Sequence, residues 1–390
     1  MGFKQSVRLL LLGIAALVSV NASAAVLEQL YRVQITPAEG QSRDQALRDA
    51  AVIMLQRLAG NDLDVSRGPL AKALTSPQEL MRRIGSVEEG GIRIEFEPEA
   101  LNSVLASAGK PALGRNRPGI LLWAIEAGEL GDQMLSPVAP WALLLKEAAE
   151  HRAVALSFPL GDLQDLSEVD EDLVRQASKA ELLQASERYP TEGALALTIS
   201  GTAEATELEW SLWLNGKDKS GRSSGTANQA ADALMVALAN AVFEQYAVPA
   251  TASGELTGWQ LHVEGVNSLA AYSDLMRMLR QLGSQEQPTL LAIDGDTLLM
   301  QVKFPGDEAQ LERMLSLDMR LQRMAAPQPQ EQPAISAEPV DEQAAASNTE
   351  ATAAPEVATT TDDLAEPVNA VEPVAPAAPN IPTLYYRWRK

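Results

Sequence analysis

The sequence predicts an α+β protein of two or three small mixed-sheet modules, the last a split βαβ, with a disordered acidic Pro/Ala-rich segment near its end. Three observations lead there. Between residues 25 and 324, apolar stretches of strand length alternate with amphipathic helical stretches, each bounded by Gly, Pro or capping residues. The stretch 256–324 reads in the order β-α-β-β-α-β. Residues 325–380 hold ten Asp/Glu and nine Pro but no Lys or Arg, a composition that buries too little apolar surface to offset its ordering entropy. The 300 residues before it suit two or three modules at about 100–200 residues per domain.

The first module, 25–116, opens with a strand over 26–36, stopped by Pro37. Ser42 with Gln45 is a capping-box start for a helix whose Ala46, Leu47, Ala50, Met54 and Leu58 share a face, with Gly60 as its stop. A second helix is expected over 77–84, a strand over 91–96, and a third helix over 98–108 with proline in its first turn. The order is β-α-α-β-α.

The second module, 117–250, is read as an α/β interaction-like unit. It has a buried strand at 119–126, a helix at 140–150, a short strand at 153–158 and an acidic helical stretch at 170–189. Strands at 194–201 and 207–214 pair, Asn215-Gly216 gives a tight turn, and a long amphipathic helix at 227–246 closes the unit. The third module, 256–324, has a strand at 259–266 and a helix at 268–282. A hairpin of 289–293 and 297–304 turns at Asp294-Gly295-Asp296, then come a helix at 306–315 and a strand at 319–321.

The first 24 residues read as a cleaved export signal. Lys4 and Arg8 precede an apolar run from Leu9 to Val20, and Ala22-Ser23-Ala24 gives the small-x-small cleavage pattern. The run is about 12 residues, short of the roughly 20 a membrane span needs, and the mature chain is expected to lack a transmembrane span. The periplasm is the expected location, with cleavage near Ala24.

Several residues point to known families. Trp123, the run Phe158-Pro159-Leu160-Gly161-Asp162-Leu163, the run Ala185-Ser186-Glu187-Arg188-Tyr189 and the run Val263-Glu264-Gly265-Val266-Asn267-Ser268 stand with the helix of 43–60 behind the export signal. Together they resemble an uncharacterised exported bacterial family catalogued as domain of unknown function twenty sixty-six, over most of 25–324. That resemblance implies no activity. Arg188-Tyr189 followed by the strand of 194–201 is similar to an entry shared by envelope proteins: the curli secretion channel subunit, the amino-terminal domain of the Tol-system propeller protein, and lipoprotein activators of penicillin-binding proteins. The similarity implies an interaction domain.

Composition excludes much chemistry. With no cysteine and only His151 and His262 as imidazoles, thiolate sites, cysteine nucleophiles and three-histidine zinc sites are impossible. A net charge of -21 argues against nucleic acid as a partner. The segment 216–223 nearly spells a phosphate-binding loop, but Arg222 stands where lysine belongs; a mobile hairpin is the expected structure. Gly221-Arg222-Ser223-Ser224-Gly225 matches a nucleophile elbow in letters, yet polar residues precede it. His262 is expected to point away from Leu261 and Val263, and His151 to end a helix as a favourable cation. The acids of 162–172 lack calcium-loop spacing and read as a solvated face. No catalytic, cofactor or metal residues are assigned.

The chain's last ten residues, 381–390, are aromatic and basic. Leu384, Tyr385, Tyr386, Arg387 and Trp388 are the interaction candidates, with three readings: a returning last strand of the third module, a tethered docking peptide, or a weak contact with an anionic membrane surface. The function expected is a non-enzymatic periplasmic scaffold or modulator of cell-envelope assemblies, with envelope proteins as partners and no cofactor. A periplasmic hydrolase acting on cell-wall or ester substrates and a small-ligand-binding module are the alternatives.

Overall fold

The computed structural model describes residues 27, 29–87, 90–129, 131–248, 257–280, 282, 287–326 and 381–389. The expected signal at 1–24 lies outside these residues, as does nearly all of the acidic segment 325–380. Among the described residues the fold is α+β, with ten α-helices and three sheets. No described helix is long and apolar enough to cross a membrane.

The first sheet has the order β1-β3-β2, formed by β1 (Arg32–Ile35), β2 (Met81–Ser86) and β3 (Ile92–Phe96), all antiparallel. Helix α1 (Arg43–Ala59) begins at Ser42, whose hydroxyl accepts from the Gln45 N–H, and buries Leu47, Met54, Leu55 and Leu58. Helices α2 (Gly68–Ala73) and α3 (Pro98–Ser107) complete this core. The helix expected over 77–84 is instead one 3-10 turn, Pro77–Leu80, followed by β2. Arg82 and Arg83 are exposed there while Ile84 pairs with Ile94, so cross-strand pairing overrode a weak local helix pattern. The order is therefore β-α-α-β-β-α.

The second sheet runs β5-β4-β7-β8-β9, with β6 also on β4. Its centre, β4 (Gly119–Glu126), is buried on both faces along nearly its whole length and lies parallel to β7 (Gly193–Gly201). Short β5 (Gln133–Met134) and β6 (Ala155–Ser157) pair with opposite ends of β4. β8 (Thr206–Leu214) and β9 (Lys217–Gly225) continue from β7 as an antiparallel meander. Asn215 (φ 48°) and Gly216 (φ 73°) make the two-residue turn between them, where left-handed backbone at both positions matches strand twist. The expected mobile hairpin at 216–223 is thus a regular strand. Its polar side chains suit an exposed edge, which is why periodicity missed it. One face of the sheet packs α4 (Pro140–Arg152) and α8 (Ala227–Tyr246). On the other face Leu121, Trp123 and Ile125 meet Val169, Val174 and Leu182. The expected helical stretch of 170–189 is split into α6 (Glu171–Arg175) and α7 (Lys179–Ser186), preceded by α5 (Leu163–Glu168). Asp162 and Asp170 each cap a new start, as short acidic side chains do best.

The third sheet runs β11-β12-β10-β14-β13. The split-βαβ elements are β10 (Thr257–Glu264), α9 (Leu269–Arg280), β11 (Thr289–Asp294), β12 (Thr297–Phe304), α10 (Glu308–Ser316) and β13 (Leu321–Arg323). In a plain split βαβ the last strand would lie against the first. Here β14 (Thr383–Trp388) separates them, parallel to β10 and antiparallel to β13. Leu384, Tyr386 and Trp388 point into the core, which runs continuously from Ile120 of the second sheet to Trp388. Gly265, at φ 83°, lets the Trp388 carbonyl approach where a Cβ would sit 2.7 Å from its oxygen, and Arg320 stacks 4.7 Å over the indole.

Deleting residues 381–390 removes an internal strand, and Trp388→Ala alone should cost about 3–5 kcal/mol. Urea unfolding should show that loss, and hydrogen exchange should show β10 amides losing protection. Unchanged stability in both variants would contradict this placement.

Candidate functional site

Trp123, the 158–163 run and the 185–189 run, separate in sequence, meet at one place. β6 delivers Phe158, the chain turns through Pro159, Leu160 and Gly161, and Asp162 caps α5 by accepting from the N–H groups of Gln164 (3.1 Å) and Asp165 (3.0 Å). Asp165 is only 3% exposed. Its carboxylate accepts from the Tyr189 hydroxyl (2.6 Å), the Gly161 N–H (2.8 Å) and Arg188 (3.1 Å). Arg188 also holds Asp162 through both its terminal nitrogens, at 3.0 and 2.7 Å. The Tyr189 oxygen in turn accepts from the Leu160 N–H at 3.0 Å.

The network is anchored from below. Trp123 of β4 meets the Tyr189 ring edge-on at 6.3 Å, and its indole N–H donates to Ser186 Oγ at 2.9 Å. Ser186 donates onward to the Leu182 carbonyl at 2.6 Å. Hydrogen bonding to Arg188 holds the Asp162 carboxyl down at about 2. Burial, and then the bond to Asp165, push the Tyr189 phenol up to about 12. Tyr189 thus stays protonated as a donor and the Asp162 carboxylate stays ionised as an acceptor. The arrangement immobilises a loop.

What it immobilises is an apolar ledge. Leu160, Leu163 and Leu166 are 71%, 85% and 61% exposed, although leucines are among the residues most often buried. Lys146 of α4 stacks 4.7 Å over the Phe158 ring, joining the ledge to the start of α4, where Val138 and Leu143 are also exposed. Asp162, Glu168, Asp170 and Asp172, its neighbours along the chain, are exposed as well, Asp162 paired with Arg188. Sequence reasoning read these acids as a solvated face and missed both buried Asp165 and the ledge. The available signal was Leu163 and Leu166 recurring at helical spacing in an acidic run.

Residues 24–114 match the model of a family described as Domain of unknown function (DUF8605). That match covers the first sheet with α1–α3, not the ledge. No curated protein and no solved structure matches the chain.

The remaining sequence candidates lie elsewhere. Leu384, Tyr386 and Trp388 are buried in the third sheet, Tyr385 stacks 5.2 Å from His262, and Arg387 pairs with Glu264 at 3.0 Å. His262 does face away from buried Leu261 and Val263. His151, in the last turn of α4, is pushed down by burial and by the Arg152 and Arg57 charges, so it is neutral where the helix end would favour a cation. Ser223 sits mid-strand opposite Leu208, not on the strand-to-helix elbow a hydrolase needs. Among the described residues, no group of three or more Asp, Glu or His is placed to hold a metal ion.

A second titratable group, Glu192, lies where β4 and β7 begin. It accepts from the Gly119 N–H at 2.5 Å, yet burial lifts its carboxyl to about 7. In the unfolded chain it ionises near 4.5, so the native state binds the extra proton between those values. Stability should therefore fall as pH rises from about 4.5 to 7, by roughly 3 kcal/mol at most. Glu192→Gln should flatten this in urea midpoints taken across that window. At the ledge, Tyr189→Phe strips one donor from buried Asp165 and should cost about 1.5–3 kcal/mol in the same assay.

Proposed function

We propose that the protein is an exported, non-enzymatic component of the cell envelope that scaffolds or modulates an assembly through protein–protein contacts, with the leucine ledge as its contact surface. The observation that carries this reading is the pairing of three exposed leucines with a buried network that fixes them. Isolated exposed apolar residues are ordinary, but a contiguous, rigidly presented set marks an interaction surface. Preorganisation favours binding, because the loop loses little entropy when it engages. The exposed acids beside the ledge in sequence select a partner of matching chemistry: an amphipathic helix with leucine-sized apolar residues on one face and Lys or Arg along its flanks.

Export rests on the composition of residues 1–24, and the periplasm is the compartment it implies. The Cys-free composition supports that address, since such a chain has nothing to mispair under oxidising conditions. With Leu384, Tyr386 and Trp388 inside the third sheet, the C-terminal end serves the fold, and the contact role passes to the ledge. Ser223 within β9, without an elbow, speaks against the hydrolase alternative.

A photo-crosslinking residue at Leu163 should give one discrete adduct in intact cells, absent when the same residue replaces Glu204 on the β7–β8 turn. Adding Leu160→Asp and Leu166→Asp should abolish the adduct while the melting temperature holds. No adduct, or one indifferent to those changes, would sink the reading. N-terminal sequencing of the mature chain should begin near Ala25.

A further inference from the structure

We infer that the protein self-associates through β11, which among the described residues is an unpaired edge of the third sheet, forming a two-fold dimer in which the sheet runs on from one copy into the next. This goes beyond the ledge and uses none of its residues. An exposed strand edge is a template for pairing, and proteins normally guard it with short length, Lys or Arg, proline or a bulge. The other edges here are guarded. β1 carries Arg32, β2 carries Arg82 and Arg83, β9 carries Lys217, Lys219 and Arg222, and β5, β6 and β13 are two or three residues long. β11 reads Thr289-Leu290-Leu291-Ala292-Ile293-Asp294, with no cation and no proline; its one guard is the bulge at Leu291, which still leaves Leu291 and Ile293 45% and 63% exposed along a six-residue edge.

The apolar layer beneath the sheet continues past this edge. Leu290 pairs with Met300 and Ile293 with Leu298, both partners buried. The bulge between Leu290 and Ala292 brings Leu290 and Ile293, three residues apart, to that same inner side. On α9, Asp274 reaches Arg320 beside β13 and β14. The opposite flank of the helix faces away from that pair. That flank presents Tyr272 and Met276, half-buried against the core, in a shallow depression of about 400 Å³.

A second copy fits this edge by charge and by register. Antiparallel pairing about a two-fold between Leu291 and Ala292 sets each Leu290 opposite the other copy's Ile293 and each Asp294 opposite a Thr289. The contact is isologous, as two-fold dimers require, and no like charges meet. At a net charge of -21, two copies repel at most approaches. β11 offers a strand whose one charge, Asp294, falls opposite an uncharged residue.

Sedimentation equilibrium of the full mature chain tests this. A dimer is expected, with Ile293→Lys and, separately, Leu291→Lys each weakening it at least about tenfold at unchanged melting temperature, while Leu163→Asp leaves it intact. Because the chain contains no cysteine, Ala292→Cys provides a clean second measurement: mild oxidation should yield a disulfide-linked dimer, and Glu204→Cys should not. A wild-type monomer at high concentration, or a dimer indifferent to both lysine substitutions, would overturn the proposal. An Ala292→Cys chain that stays monomeric on oxidation would do the same.

Discussion

The arrangement of the modules turns on a guanidinium whose hydrogen bonds all go to backbone carbonyls among the described residues. Arg57, at the end of α1, donates to the carbonyls of Leu30 and Arg32 in its own module and of His151 in the next, at 3.3, 2.6 and 2.8 Å. Arg117 lies fully buried beside it, donating to the Arg57 and Gly114 carbonyls at 2.9 Å each. Burial pulls both groups down to about 10, so both remain cations at neutral pH. Desolvating a charge is tolerable only where hydrogen bonds replace its water, and the carbonyls that do so come from four stretches of chain, the end of α1 among them. The other three are thereby fixed: the entry to the first sheet, the end of α4, and the crossing into β4. Leu113 N–H to the Leu58 carbonyl, at 2.8 Å, adds a further tie. Since β4 is the strand on which β5, β6 and β7 all pair, the position of that crossing governs the second sheet and everything packed on it.

The ledge illustrates a different use of polar bonding. Around Asp165, each partner serves to hold a short loop whose own side chains contribute little to the core. Leaving large leucines in water forgoes about 1.5–3 kcal/mol apiece relative to burial. A fold optimised for its own stability would have turned at least one inward. The molecule spends its buried acid, a tyrosine and an arginine on keeping them outward, which is the physical basis for assigning the surface a role outside the fold.

Much of the architecture was legible because its signals were local. β4, α8 and β12 lie where the apolar patterns of Gly119–Glu126, Ala227–Tyr246 and Thr297–Phe304 put them. Ser42 and Asn215-Gly216 fixed a helix start and a hairpin without any long-range information. β2 and β9 were not legible, since each is held by its neighbour strand and neither alternates in polarity. The ledge was half legible: its sequence runs stood out, but only the fold shows that Asp165 is buried while Leu163, two residues earlier, is exposed. Nor could spacing reveal β14 lying between β10 and β13. The C-terminal aromatics permitted a returning strand, and the competing positions differ only in tertiary pairing.

That internal position of β14 has a consequence for how the protein is made. Ribosomes deliver chains from the amino end, so β10 through β13 are complete while the strand that joins them has yet to be synthesised. Until Trp388 emerges, the inner faces of β10 and β13 have no neighbour on that side, and the core shared with the second sheet stays open. Closure of the third sheet, and of the core it shares with the second, is therefore a late event of folding on the ribosome, following synthesis of every other described element.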